Sequence, residues 1–536
     1  MTENNSFDEI KNLLPRTWNV FFGRHGRLTE VQKRVIPVIV SGKNCIISSP
    51  TASGKTESVF APIAENLLKE SKNNRISAVY IAPTRALIND MKERLEPDFE
   101  ALYLKLGTWT ADHHSIDFDK PPDLVLLTPE SLDSLLCRRS ELFNSVRYMI
   151  LDELHLLYNS IRGDQLNILC RRVAKISSEK IKYYALSATI SFESLSDFNY
   201  FHPYETITVP GTKAMDFKLI HMDKDLFPNL LKEFRSKDLR KVLIFVNSRR
   251  TCENVAQKLK QFVDSRLVFV HHGSLDKKRR EETERAFKST RFAYCVSTNS
   301  LEVGIDIGDV DAVVLFGPPQ NVSSLLQRVG RGNRRVNKSV SFGIYSNDIE
   351  HSFFISLYNS AISGELEETG HDFCTSAIIQ QIISILYQLR NVGIGEIELY
   401  DFLVPSKISP RLFGIILRHM QSQNFAVNVR QLWYPSEKTI RMGDHGFIHS
   451  NINENHGYKV VDSYTGQSIG EVGYLDSRSK NFILNGEIWQ VKEMSNEIIS
   501  VSKVGVEAGE TKFTARGSTG KFSYLIPKEE KEFTRC

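Results

Sequence analysis

Between Asn44 and Ser187, five short and almost wholly apolar segments recur: NCIIS, AVYIA, DLVLL, YMILD and YYALS. Helical stretches such as TESVFAPIAENLLKE and TRALINDMKERL lie between several of them. A strand that is apolar on every residue must be covered on both faces. Such strands separated by helices predict a parallel sheet sandwiched by those helices. The rhythm restarts after Lys241 with VLIFV, RLVFV, FAYCVS, DAVVLF and VSFGIYS, so a second α/β domain is expected, with a junction around VPGTKAMDF. The 536 residues are 41% hydrophobic and 25% charged, which suits three or four globular domains.

After about Gly364 the pattern changes. TSAIIQQIISILYQL, IELYDFL and RLFGIILRHMQSQ read as three helices, and AVNVRQLWYP as an extended pair. Three short helices and a hairpin predict a winged helix. From Lys438 the helical period fades. YKVVDSYTGQSIGEVGYL and NFILNGEIWQVKEM read as hairpins, the second turning at Asn485-Gly486, so a small β-rich, barrel-like end is expected. The domain expectation is 1–210 and 211–364 for the α/β domains, 365–437 for the winged helix and 438–536 for the β-rich domain. PKEEKEFTRC reads as a solvated tail.

The net charge of +4 neither requires nor excludes a polyanion, so any nucleic-acid role must rest on local residues. The start, MTENNSFDEIKNLL, lacks the cationic flank and apolar core of a signal peptide. RVIPVIV is too short to span a bilayer, and polar residues interrupt SAIIQQIISILYQL, so no membrane partner is expected. The seven cysteines form no CxxC pair, which disfavours a structural zinc or iron–sulfur centre and predicts reduced thiols in the cytoplasm.

Chemistry enters at SSPTASGKTES, directly after the first strand. Such a loop points backbone N–H groups at phosphate oxygens, and the following helix adds its positive end. In Ser53-Gly54-Lys55-Thr56, Lys55 would reach the β- and γ-phosphates and the Thr56 hydroxyl would hold Mg²⁺. Ser49 replaces the first glycine of the usual GxxxxGK[ST] pattern, and Ala52 stands where glycine is frequent. Asp152 and Glu153 end the strand YMIL, where open α/β sheets gather ligands. One carboxylate, Asp152, would orient Mg²⁺. The other, Glu153, would activate water. In QRVGRGNRR, Arg331 and Arg334 lie one turn apart and can serve a transferring phosphoryl group together.

Ten motifs then run in order: LTEVQ, SPTASGKT, APTRAL, LTPESL, DELH, SAT, IFVNSRR, HHGSL, STNSLEVGIDIG and QRVGRGNR. In this series the chain resembles superfamily-two DExH helicases. The resemblance implies two tandem RecA-like domains and an ATP-dependent motor. It implies that Gln32 reads adenine, that Ser187 and Thr189 couple hydrolysis to movement, and that Gly304 and Asp306 touch the nucleotide. It also implies that Gln327, Arg331 and Arg334 complete the transition-state site. Thr84, Arg85 and Thr128 would line one half of a strand-binding groove, and Asn247, Arg249, His272 and Thr298 the other, through contacts that position without reading sequence. Taken singly, Thr84 and Thr128 also read as helix caps. Asn333 replaces a glycine common among relatives.

DELH, Gln327 and the winged helix narrow the likeness to the large helicase-related (Lhr) family. That family implies loading on single-stranded or tailed duplex DNA and 3′ to 5′ movement. An RNA helicase, a motor subunit needing a protein partner through the C-terminal region (as in antiviral defence), and a non-catalytic binding module are the alternatives. The ten residues between Phe316 and Gln327 are too few for a long separating hairpin, and the sequence ends before a large helical bundle. Translocation is therefore expected to exceed unwinding unless the wing supplies a wedge. Trp433 and Tyr434 are the wedge candidates, with wing packing as the competing reading. KKRREETER reads as a solvated helix face.

Overall fold

The computed structural model describes residues 7–24, 27–49, 53–69, 75–110, 115–158, 160–187, 201–209, 214–302, 307–332, 338–363, 373–403, 408–452, 457–473, 481–495, 497–504 and 520–527. The chain divides into two compact units. One combines Met1–Pro210, Glu368–Glu454 and Gly517–Cys536. The other combines Gly211–Glu367 and Asn455–Arg516.

The first unit holds β1 (Asn44–Ser48), β2 (Ala78–Ile81), β3 (Leu106–Trp109), β4 (Leu124–Leu127), β5 (Tyr148–Leu151), β6 (Lys182–Ser187) and β7 (Tyr204–Thr208). They form one sheet in the order β3-β4-β2-β5-β6-β1-β7, parallel throughout. The second unit holds β8 (Ala214–His221), β9 (Lys241–Val246), β10 (Val268–His271), β11 (Ala293–Ser297), β12 (Ala312–Phe316) and β13 (Lys338–Tyr345). Their order is β10-β11-β9-β12-β13-β8, again parallel. These are the two tandem RecA-like sheets.

Three strands escape the sequence reading: β3, β7 and β8. All three are sheet edges. An edge strand is covered less completely and carries polar residues, as YETIT does in β7, so it lacks the continuous apolar signal. The segment read as a junction, VPGTKAMDF, in fact runs into β8.

The winged helix belongs to the first unit. Its helices are Thr375–Gln388, Glu396–Leu403 and Pro410–Ser422. Its sheet is β14 (Ile394–Gly395), β15 (Ala426–Val429) and β16 (Leu432–Pro435), in the antiparallel order β14-β16-β15. Arg430 and Gln431 turn the wing with φ of 52° and 67°, as a tight two-residue hairpin requires. Residues Thr375–Tyr387 of the first helix are all buried, and they pack on helices Pro129–Arg139 and Ile161–Ile176 of the first α/β domain. The polar residues that interrupt this helix find partners there. Arg172 bonds Asp133 Oδ1, Gln381 Oε1 and Ser384 Oγ at 2.8, 2.8 and 2.9 Å.

The β-rich part begins at β17 (Tyr458–Asp462), because a helix capped by Ser436, Glu437–Asp444, occupies the stretch expected to open it. β18 (Ser468–Val472), β19 (Asn481–Leu484), β20 (Glu487–Met494) and β21 (Ile498–Lys503) complete a sheet ordered β18-β17-β21-β20-β19. Among the described residues it is open, with β18 and β19 at its edges, rather than a closed barrel. The expected turn is present: Asn485 and Gly486 have φ of 58° and 66°. The sheet shares a core with the second α/β domain, where Val460, Ile469, Phe482 and Trp489 join Leu230, Val255, Val270 and Leu275. Glu253 binds the amides of Asn485 and Gly486, each at 2.6 Å.

Candidate active site

β1 ends at Ser48 and the helix Lys55–Lys69 begins seven residues on. Residues 50–52, Ala52 among them, lie outside the described residues. Gly54 has φ of +88°. A Cβ there would lie 2.5 Å from Gln32 Nε2 and 3.1 Å from Thr29 Oγ1, so the loop requires glycine. Gln32 is set by a capping box. Its Oε1 accepts from Thr29 N at 2.9 Å, and its own amide donates to Thr29 Oγ1 at 3.3 Å. That leaves Nε2 against the phosphate loop. The Ser49 and Ser53 hydroxyls bond at 2.8 Å. Lys55 Nζ donates to Ser49 O at 2.5 Å and to Ser187 O at 3.2 Å. Burial lowers the Lys55 ammonium's pKa, and the nearby Glu153 and Asp152 oppose that shift. Thr56 follows in the first helical turn.

Asp152 continues β5, its amide bonded to Ile81 O at 2.8 Å. Tyr80 OH donates to Asp152 Oδ2, and the Glu153 amide donates to Oδ1 at 2.8 Å. Burial, and then the charge of Glu153, push the Asp152 carboxyl up to about 6, while Tyr80 and Lys55 hold it down. Glu153 itself is left-handed, with φ 45° and ψ 43°, and turns the chain sharply into the short helix Leu154–Leu157. His155 Nδ1 lies 2.8 Å from Ser187 Oγ and 3.6 Å from Glu153 Oε2. Ser187 therefore serves Lys55 through its carbonyl and His155 through its hydroxyl.

Lys55, Asp152, Glu153 and Ser187 thus converge at the ends of β1, β5 and β6, with Gln32 beside the loop. Two members of the site were not singled out in the sequence. His155 was visible as the fourth letter of DELH. Tyr80 carried no signal, because a tyrosine in AVYIA reads as core. In register Tyr80 pairs with Ile150, which puts it on the face of Asp152 two residues on.

Thr84 and Thr128 follow the neighbouring strands β2 and β4, and both are helix caps. Thr84 Oγ1 accepts from Leu87 N at 3.3 Å and Thr128 Oγ1 from Ser131 N at 3.3 Å. Arg85 is exposed beside them, whereas Thr128 is buried. In the second unit, Asn247 and Arg249 follow β9, His272 follows β10 and Thr298 follows β11, so all four stand at the ends of three adjacent strands. Asn247 accepts from Arg328 Nη1 at 3.0 Å and donates to Pro318 O at 2.7 Å. Arg249 donates to Ser274 Oγ at 2.8 Å. His272 is fully buried, its Nε2 2.8 Å from Glu253 Oε1. Gln327 donates to Ser323 Oγ at 3.3 Å, and Arg331 Nη2 to Glu302 O at 2.9 Å. Thr189, Gly304, Asp306, Asn333 and Arg334 lie outside the described residues.

Among the described residues, no helix is long and apolar enough to cross a membrane. Residues 29–198 match the DEAD/DEAH box helicase family, and residues 225–336 match the helicase conserved C-terminal domain. The ATP-dependent helicase Lhr-Core of Saccharolobus solfataricus is 32% identical over 98% of this chain and 63% of its own length. The Lhr-Core helicase of Sulfolobus acidocaldarius is 35% identical over 62% of this chain and 42% of its own. The chain therefore spans less than two thirds of either relative. The structure of the Mycobacterium smegmatis helicase Lhr bound to ssDNA and AMP-PNP superposes with a TM-score of 0.70 at 21% identity, covering 87% of this chain and 67% of that one. Its likeness concerns the fold. With the motif order, the two parallel sheets and these relatives agreeing, the chain belongs to the Lhr-like helicases of superfamily two.

Proposed function

We propose that this chain is an ATP-driven motor that loads on single-stranded nucleic acid, DNA before RNA, and moves along it 3′ to 5′. The observation that carries the proposal is the convergence of Lys55, Asp152, Glu153 and Ser187 behind a glycine-pinned loop in the first unit. In this reading Ser53, Gly54 and Lys55 receive the phosphates, and Gln32 receives the adenine. Thr56 and Asp152 would hold Mg²⁺. A hydroxyl, a carboxylate and water suit that hard, octahedral cation, and Asp152 sits at the strand end directly beside a second carboxylate, Glu153. Magnesium would neutralise charge on the phosphates. Glu153 takes the proton of the attacking water, and His155 with Ser187 holds its orientation.

Thr84, Arg85, Asn247 and Arg249 are proposed to hold the phosphodiester backbone. Thr128, Thr298 and His272, being buried, would act by fixing the strand-end loops that carry these contacts. Gln327, Arg331 and Arg334 enter the ATP cycle through the motif resemblance. The DNA preference draws on the ssDNA in the mycobacterial Lhr structure. The deciding measurement is ATPase activity without nucleic acid, with oligo-dT and with oligo-U, followed by strand displacement on matched 3′- and 5′-tailed duplexes. Stimulation by oligo-dT and displacement from 3′ tails alone are expected, with turnover lost by orders of magnitude in Lys55→Ala. Equal activity in that variant would overturn the site. Stimulation by oligo-U alone would overturn the DNA assignment.

A further inference from the structure

The helix Pro129–Arg139 carries Asp133 and Cys137 one turn apart, hence on one face. His449, beyond the helix Glu437–Asp444, meets that face. One ligand-capable atom from each of the three residues lies within 4.8 Å of the others, and all three side chains are buried. The cluster belongs wholly to the first unit and shares no residue with the ATP site. We propose that Asp133, Cys137 and His449 form a binding site for a divalent transition-metal ion of the zinc class.

The donor chemistry selects the ion. A thiol, an imidazole and a carboxylate make the mixed S/N/O set that zinc and cobalt prefer. Magnesium and calcium take oxygen alone. The imidazole is incompletely used: Nδ1 lies 2.8 Å from Asp133 Oδ2, while Nε2 is buried with no hydrogen-bond partner. Such an orphaned polar atom is uncommon in a native interior and calls for a ligand.

The groups around the cluster hold it in place. Asp133 Oδ1 accepts from Arg172 Nη1 at 2.8 Å, from Gln381 Nε2 at 2.9 Å and from Ser384 Oγ at 2.7 Å. Gln380 Nε2 approaches Oδ2 at 3.4 Å. Ser384 Oγ, which also accepts from Arg172 at 2.9 Å, lies 3.0 Å from Cys137 Sγ and ties the thiol to the same network. Hydrogen bonds of this kind orient metal ligands from outside.

Arg172 is a buried cation beside the site, but its guanidinium is spent on Asp133 Oδ1, Gln381 Oε1 and Ser384 Oγ. Asp133 Oδ2 is the oxygen that faces His449. The bound ion would tie the winged-helix segment to the first α/β domain as a closed structural site.

The test uses the full chain, stripped with chelator and titrated with CoCl₂ and then ZnCl₂. One equivalent of cobalt should produce a sulfur-to-cobalt charge-transfer band, which zinc then bleaches. The melting temperature should rise as the ion binds. Cys137→Ala, which keeps a small apolar side chain, should lose the band and weaken zinc binding beyond the ~10–100-fold typical of outer-sphere changes. His449→Gln should weaken it similarly. No stoichiometric band in the wild-type chain would overturn the proposal. So would a band that survives in Cys137→Ala, or a melting temperature indifferent to zinc.

Discussion

The Tyr80 hydroxyl donates a hydrogen bond to Asp152 Oδ2 inside the first sheet. Asp152 is the carboxylate assigned to Mg²⁺, and its other oxygen is already held by the Glu153 amide. Tyr80 is therefore a positioning residue that fixes the plane of the carboxylate and favours its ionised form. Tyr80→Phe removes one hydroxyl and nothing else. The loss of a buried bond to a charged acceptor should cost about 1.5–3 kcal/mol of stability. ATP turnover should fall roughly 10–100-fold, with a higher Mg²⁺ concentration for half-activation. A magnesium titration of the ATPase checks it, and an unchanged half-activation point would confine Tyr80 to packing.

Glu153 has a backbone that favours glycine or asparagine, at φ 45° and ψ 43°. A non-glycine residue held there costs on the order of 1 kcal/mol, a strain that persists because the side chain is needed. Glu153→Gly should leave the melting temperature equal or higher while turnover drops by about 10²–10⁴-fold, the range for losing a general base. Glu153→Gln keeps the strain and should lose activity alike, while retaining ATP binding. Parallel melting and ATPase measurements on both variants separate the two effects.

Arg172 and Asp133 form a fully buried ion pair at 2.8 Å. Removing one partner leaves the other uncompensated, at a cost of about 3–5 kcal/mol. Arg172→Met should therefore lower the urea midpoint of the first unit's transition sharply. Surface pairs such as Arg266–Asp264, where the arginine is 86% exposed, should be nearly silent when broken.

His271 is buried between Ser300 Oγ and Glu284 Oε1, each 2.8 Å from a ring nitrogen. Burial lowers its pKa below the ordinary 6.5, with Glu284 opposing. As pH falls through 6.5 the unfolded chain takes up this proton first, so stability drops from about pH 6.5 downward. His271→Gln should flatten that part of the stability curve, as measured by denaturant midpoints between pH 7 and 5.

The legible parts of this molecule are those with a local signal. Central strands announce themselves by unbroken apolar runs, and the phosphate loop and DELH by residue types at fixed spacing. The edge strands β3, β7 and β8 carry half that signal. The network around Asp133 depends on partners far away in the chain: Arg172 is 39 residues off and His449 is 316. Gln380, Gln381 and Ser384 were visible as polar breaks in an apolar helix, but nothing local says which groups they meet. Tyr80 was hidden for a related reason, since a phenol in an apolar strand differs from a core residue only through one atom and its partner on the next strand.

Trp433 decides between the two readings of the wing. Its side chain is 3% exposed within the winged-helix core, and in register it stands between Ile394 and Asn428. Tyr434 covers Gly393, where a Cβ would come within 2.5 Å of its ring, and its hydroxyl donates to Val392 O at 3.3 Å. Both aromatics are used in packing, so neither is a free stacking wedge. Trp433→Ala should destabilise the first unit by about 3–5 kcal/mol, as a large cavity does. Trp433→Phe fills most of that volume and should restore stability. Below the melting transition, affinity for oligo-dT by fluorescence anisotropy should stay within about twofold of wild type in both variants, because a lost stacking contact would cost ~1–3 kcal/mol, several-fold or more. A large affinity loss in the well-folded Trp433→Phe variant would return the residue to the nucleic-acid interface.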